Sequence, residues 1–564
     1  MRPTVVLLGL FVAAGCASGP QRAPAPRFDW ILRGGKVYDG TGAPGRVTDV
    51  GIRGDRVAAV GDLAAASAAH TLDARGLAVT PGFINMLSWA PDALMVDGRS
   101  LGDLEQGVTL EIFGEGWSYG PYSPWQKEDA KKQQYDIYYD ITWTTLGEFL
   151  DQLVARGISP NVASFVGATT LRQHELRNED RAPTPAELAR MQDLARQAMG
   201  EGALGLGASL IYAPAFYAKT DELVALAKAV GESGGGYIAH LRSEGPRFLE
   251  ALDELIAIAR EAKVQAEVYH LKAAGQENWP KMAQAIARIE EARASGLAIA
   301  ADMYVYTAGA TGLDASMPPW VQEGGIDAWV DRLKDPAIRA RVLAEMRSGT
   351  DAWENLGRMA GSPERILFLG FKNPALKPLT GKTLAQVAAD RGTSPEDTMI
   401  DLVVENHARV ETAYFLMSED NVRLGIRQPW VTFGSDAESA APEGVFLKSS
   451  SHPRAYGNFA KLLGHYVRDE KLIPLEEAVH RLTGLPAARW KLKDRGCLAE
   501  GCFADVVVFD PAAIQDHATY EKPQQFATGV RDVLVNGVPV LRDGKHTGAK
   551  PGRVVRGPGW TGGR

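Results

Sequence analysis

The chain has 564 residues, a formal net charge of -8 and 45% hydrophobic residues, enough apolar matter for one large core and a smaller one, since domains run to roughly 100–250 residues. A negative balance with no long basic run excludes the clustered cationic face that a nucleic-acid partner requires. Of its three cysteines, Cys16, Cys497 and Cys502, the last two are too few for a disulfide framework and lack a second ligand pair for a structural zinc site; the spacing leaves them either paired or free.

Residues 1–16 read as a targeting segment. Arg2 supplies a positive charge, residues 5–14 are apolar but too few to span a bilayer, and small residues follow. The run Ala13-Ala14-Gly15-Cys16 resembles the bacterial lipoprotein signal, in which the cysteine is lipidated and becomes the mature N-terminus. Cys16 is therefore the candidate lipidation site. The expected location is the cell envelope, held by a lipid anchor that is the expected membrane contact, or otherwise the periplasm or the medium. Residues 17–27, rich in Pro, Ala and Ser, read as a flexible tether.

Short β runs follow at 30–32, 36–38, 50–53 and 56–60, punctuated by Gly34-Gly35 and Gly54-Asp55, which is hairpin language. The far end repeats it at 504–509 and 533–538, where Asn536-Gly537 is a strong type I′ turn signal. Segments 28–76 and 490–550 are expected to build one small β-sandwich from both chain ends.

The middle alternates buried-looking β runs with helical segments, the pattern of a parallel βα array. Eight strands are predicted, at 77–84, 108–113, 162–166, 203–209, 236–239, 264–269, 297–303 and 430–434. Among the helices, 185–199 opens with the capping box Thr184-Pro185-Ala186-Glu187 and proline in its first position. Eight such units predict an α/β fold, a (β/α)8 TIM barrel over 77–489, with an insertion near 308–428 that absorbs two further runs at 366–369 and 414–417.

A barrel brings the residue after each strand to one rim, where such folds do chemistry. Glu115 follows the second strand, His240 the fifth and His270 the sixth; Asp302 lies in the seventh, and Asp436 closes the eighth. Two imidazoles and a carboxylate are a common ligand set for a catalytic zinc that keeps a position open for water.

Motifs at long mutual spacing carry a resemblance. They are Thr80-Pro81-Gly82-Phe83-Ile84, Arg181-Ala182-Pro183-Thr184, Ala239-His240-Leu241-Arg242-Ser243-Glu244, Tyr269-His270-Leu271-Lys272, Ser435-Asp436, His452-Pro453-Arg454-Ala455-Tyr456-Gly457 and Gly501-Cys502-Phe503-Ala504-Asp505-Val506. Together they resemble the D-aminoacylase (N-acyl-D-amino-acid deacylase) branch of the amidohydrolase superfamily, from Trp30 onward. The resemblance implies a metal-dependent barrel with a composite β-sandwich, zinc, and hydrolysis of the amide bond of an N-acyl-D-amino acid. The departures are local. Where that family carries two histidine ligands after the first strand, this chain has Leu87 and Trp89; its cysteine ligand after the second strand is missing, and the local sequence is Gly114-Glu115-Gly116; its Tyr-Pro-Tyr reads Tyr304-Val305-Tyr306.

Leucine and tryptophan cannot bind zinc, so one zinc per chain is expected, held by Glu115, His240 and His270, the position that the resemblance marks as the tighter one. Asp436 is the expected general base and acid. Arg454 and Lys272, with Tyr304 beside them, are the implied binding groups for the substrate carboxylate. His452 and His174 are expected to be structural, and loop aromatics Trp117, Tyr119 and Trp125 to shape substrate choice. The expected partner is a small-molecule amide. Two other readings stand beside this one: an amidohydrolase acting on a dipeptide or cyclic imide, and an inactive surface-anchored binding relative. The intact acid, base and ligand set favours an enzyme, since drift after loss of catalysis has no reason to spare it.

Overall fold

The computed structural model describes Met1 and residues 27–562; Cys16, the targeting segment and nearly all of the tether lie outside the described residues. Among the described residues no helix is long and apolar enough to cross a membrane.

Both chain ends meet in one nine-stranded sheet. Its strands are Phe28–Val37, Arg46–Arg53, Arg56–Gly61, Ala68–Asp73 and Ala78–Pro81 from the N-terminal side, and Val506–Phe509, Val530–Val535, Val538–Arg542 and Lys545–His546 from the C-terminal side. The halves join where Ala78–Pro81 runs antiparallel to Val506–Phe509. Inward side chains such as Leu32, Val50, Ile52, Val57, Val79, Val506 and Leu534 share one apolar interior, each large one contributing about 1.5–3 kcal/mol by leaving water. Asn536 and Gly537 sit at φ 50° and 78°, the left-handed pair that a type I′ turn requires.

Gly34-Gly35 is not a turn. It is a bulge inside a single ten-residue strand, with Gly34 at φ +64°, and a Cβ on Gly35 would lie 2.4 Å from Val79 Cγ2. The bend lets one strand pair with Ala68–Asp73 along its first half and with Ala78–Pro81 along its second. The hydrogen bonding of this region is therefore one continuous sheet. Cys497 and Cys502 form a disulfide.

Between the two ends of the sheet run eight parallel strands: β1 Phe83–Asn85, β2 Val108–Phe113, β3 Asn161–Ser164, β4 Gly205–Ser209, β5 Gly236–His240, β6 Ala266–Val268, β7 Ile299–Met303 and β8 Val431–Phe433. Neighbours pair in chain order from β1 to β3 and from β4 to β8. Leu204 N–H donates to Ser164 O at 2.9 Å, linking β3 to β4, and Met86 N–H donates to Phe433 O at 3.2 Å, linking β8 back to β1. The predicted run 77–84 thus splits at Gly82. Its first part belongs to the end sheet, because a Cβ at Gly82 would lie 1.9 Å from Thr109 Oγ1 and only glycine lets the chain cross β2 there. The run 162–166 breaks at Phe165, whose ring turns inward against Trp490 with centroids 4.6 Å apart.

Helices cover the strands. Pro185–Gly200 carries the Thr184–Glu187 capping box, and Phe248–Ala262 buries Phe248, Leu252, Leu255, Ile256 and Ala259, one stripe at helical spacing. Between β7 and β8 the chain forms a three-stranded antiparallel sheet of Ala308–Gly312, Ile366–Gly370 and Glu411–Phe415, with helices packed on it. Ala308–Gly312 has the sequence AGATG. Without bulky β-formers it gave no strand signal.

Candidate metal centre

The ends of β2, β5 and β6 converge on one buried point. Glu115 lies between Gly114 at φ +107° and Gly116 at φ +73°, so two left-handed glycines turn the loop tightly enough to aim its carboxylate inward. His240 ends β5, and His270 follows β6 at φ 37° with its N–H donating to Asp302 Oδ1 at 2.8 Å. Glu115 Oε1 lies 3.0 Å from His240 Nδ1 and 3.0 Å from His270 Nε2. The three donor atoms lie within 4.8 Å of one another. Asp302 thus braces a backbone N–H and stands outside this group.

A second carboxylate closes the far side of the imidazoles. Glu244 Oε1 is 3.1 Å from His270 Nδ1, and Lys272 Nζ sits 2.6 Å from Glu244 and 2.7 Å from His270 Nδ1. His240 Nε2 is buried without a hydrogen-bond partner. Burial and the Lys272 ammonium push the His270 pKa down, but Glu244 and Glu115 outweigh them and raise it to about 10. Burial pushes the Glu115 carboxyl up, and the charges and hydrogen bonds of His270 and His240 outweigh it, holding the group well below the usual carboxylate range. An ionised carboxylate and two imidazole nitrogens on rigid strand ends are the donor chemistry of a zinc site. The residues fit the metal.

Beside this group Asp436 takes a left-handed φ of 50°. Its Oδ2 pairs with Arg454 Nη1 at 2.9 Å, and its Oδ1 accepts the indole N–H of Trp89 at 3.0 Å. Burial raises the Asp436 pKa, Arg454 opposes the rise and Glu115 adds to it. The Arg454 guanidinium lies 4.4 Å above the Tyr304 ring. Arg454 Nε, Arg454 Nη1 and the Tyr304 hydroxyl are all buried without hydrogen-bond partners, so Arg454 meets Asp436 as an ion pair and not through a hydrogen bond.

A model of the amidohydrolase family matches residues 111–541. The chain is 35% identical to the D-aminoacylase of Alcaligenes xylosoxydans xylosoxydans, over 94% of this chain and 97% of that protein. The chain belongs to the amidohydrolase family, in its D-aminoacylase branch. Among solved structures it is similar to the N-acyl-D-glutamate deacylase of Bordetella bronchiseptica, complexed with zinc and a phosphonate inhibitor, at 31% identity and a TM-score of 0.77, covering 94% of this chain and 99% of that one. A D-aminoacylase structure, described as having a binuclear metal centre with one-metal activation and second-metal attenuation, matches at 34% identity and a TM-score of 0.76, over 94% of this chain and 100% of that one.

In this amidohydrolase the first-strand positions hold no metal-binding side chain. Leu87 is fully buried in an apolar cluster with Ile84, Leu110, Ile112, Phe165 and Ile238. Asn85 Nδ2 donates to Asp103 Oδ2 and to Ser435 Oγ, each at 2.8 Å. His452 accepts the Arg454 N–H on Nδ1 at 3.0 Å and reaches the Ala308 carbonyl with Nε2 at 3.0 Å, and His174 pairs with Glu175 at 2.8 Å. Of the loop aromatics, Trp117 packs 6.0 Å from Tyr212, which stands edge-on to His240 at 5.4 Å. Tyr119 donates to Asp92 at 2.7 Å, and Trp125 packs with Arg177. Two groups escaped the sequence reading. Glu244 was legible four residues after His240, inside a quoted motif; Trp89 was read as a lost ligand and not as a donor.

Proposed function

We propose that the protein hydrolyses the amide bond of an N-acyl-D-amino acid or a close relative of it, using one zinc held by Glu115, His240 and His270. The architecture is read as a (β/α)8 barrel over roughly 83–489, with the end sheet as a small composite β domain. The observation that carries the function is the buried Glu115, His240 and His270 group with Asp436 beside it. Zinc bound there supplies Lewis acidity, polarising an amide carbonyl and bringing the pKa of water from about 15.7 towards about 7. Asp436 takes the proton of the attacking water and returns it to the leaving nitrogen; a raised pKa makes its carboxylate the stronger base. Arg454 serves two anions: its Nη1 holds Asp436, and its partnerless Nε, with the Tyr304 hydroxyl, receives the substrate carboxylate. Lys272 contributes positive charge from its place between Glu244 and His270. The targeting segment supports export to the cell envelope, with lipid on Cys16.

Elemental analysis of the purified full chain should give about one zinc per chain, and a screen of N-acyl-D-amino acids, N-acyl-L-amino acids and dipeptides should show turnover of the D series. With no donors at Leu87 and Trp89, excess zinc should leave the rate unchanged. Two tightly bound metals per chain would overturn the single-site reading, and zinc-loaded protein that turns over none of these amides would overturn the activity.

A further inference from the structure

The segments around Asp436 and Trp89 are tied together twice by backbone: Asp436 N–H donates to Leu87 O at 2.8 Å, and Trp89 N–H donates to Ala437 O at 2.9 Å. The indole therefore rides on the same short parallel ladder as the acid it touches. Its N–H reaches Asp436 Oδ1 at 3.0 Å while Arg454 holds Oδ2 at 2.9 Å. A carboxylate has about four lone-pair sites. One hydrogen bond, from the indole on Oδ1, and one ion pair, from Arg454 on Oδ2, restrain the carboxylate and leave lone-pair sites open on it, which a proton acceptor needs. Indole is a donor only, so this contact cannot reverse its polarity or recruit a cation. Loss of one such donor frees a buried carboxylate to rotate, and misplacement of a reacting group by about 1 Å costs on the order of a hundredfold in rate.

We propose that Trp89 is a positioning residue for the hydrolysis, its indole N–H orienting Asp436. The proposal rests on the functional reading above. Trp89→Phe keeps the ring and removes the donor. It should lower kcat by about ten- to hundredfold, the loss of one hydrogen bond to a charged group, with KM changed by less than about twofold and zinc content unchanged. In an Asp436→Asn background the same substitution should add almost nothing, because residues that act through one group are not additive. Wild-type kcat in Trp89→Phe, or an equal loss in both backgrounds, would overturn it. A readout independent of turnover uses protein labelled with 15N-tryptophan: the indole resonance that disappears in Trp89→Phe should move upfield in Asp436→Asn. An unmoved resonance overturns the contact whatever the substrate, whereas wild-type protein inactive on every amide, with the resonance moving as expected, overturns only the functional reading.

Discussion

Two sides of one strand-end rim have been built by opposite means. On the side of β2, β5 and β6, three donor atoms lie within 4.8 Å, buried and compensating one another's charge. On the side of β1, an apolar Leu87 and a neutral indole stand at the corresponding positions, and the buried acids nearby are met by hydrogen bonds: Glu111 by Ser88 and Ser100, Asp436 by Trp89. The contrast shows that one side of a rim can be packed with apolar and neutral side chains while the other gathers metal donors. An aliphatic side chain fills the volume, and hydroxyl or indole donors answer carboxylates that would otherwise lie bare in a low dielectric.

The most direct way to break the comparison is to empty the donor side. His240→Ala or His270→Ala should abolish both zinc binding and turnover while the thermal transition survives, because stability in such folds resides mainly in the packed core and the opposite rim. Retained zinc and activity in both variants would remove the distinction between the two sides. Asp436→Asn acts on the boundary between them. Its rate should fall by roughly a hundredfold to ten-thousandfold with zinc content unchanged; wild-type turnover would exclude the general-base role.

A smaller effect sharpens the β1 side. Burial raises the Glu111 pKa to about 7, against hydrogen bonds from Ser100 and Ser88, from an ordinary value of 4.5. Between those values the folded state binds more protons than the unfolded one. Stability should therefore fall as pH rises through that window and level off above it, by about 1.4 kcal/mol per unit of displacement. Glu111→Gln removes the ionisation, so urea midpoints at pH 5 and pH 8 should lie closer together than in wild type; an unchanged gap would show that Glu111 is not the group responsible.

Much of this was legible because it is local. The Thr184–Glu187 capping box, the Asn536-Gly537 turn and the strand-ending positions of His240 and His270 each depend on neighbours a few residues away, and the donor set could be named from where its members fall along the chain. What escaped depends on partners far along it. Gly34-Gly35 became a bulge because Val79 packs against it, and Gly82 ended a run because Thr109 does.

By itself, then, the sequence determined which residues end strands, which helices start where, and which three side chains could serve as metal donors, since periodicity, capping and turn chemistry act over a handful of residues. Only the tertiary structure decided that Lys272 lies between Glu244 and His270, that Arg454 faces Asp436, and that Trp89 reaches the same carboxylate from 347 residues away. Such pairings are set by where the parallel strands bring distant loops together, and no local pattern encodes that distance.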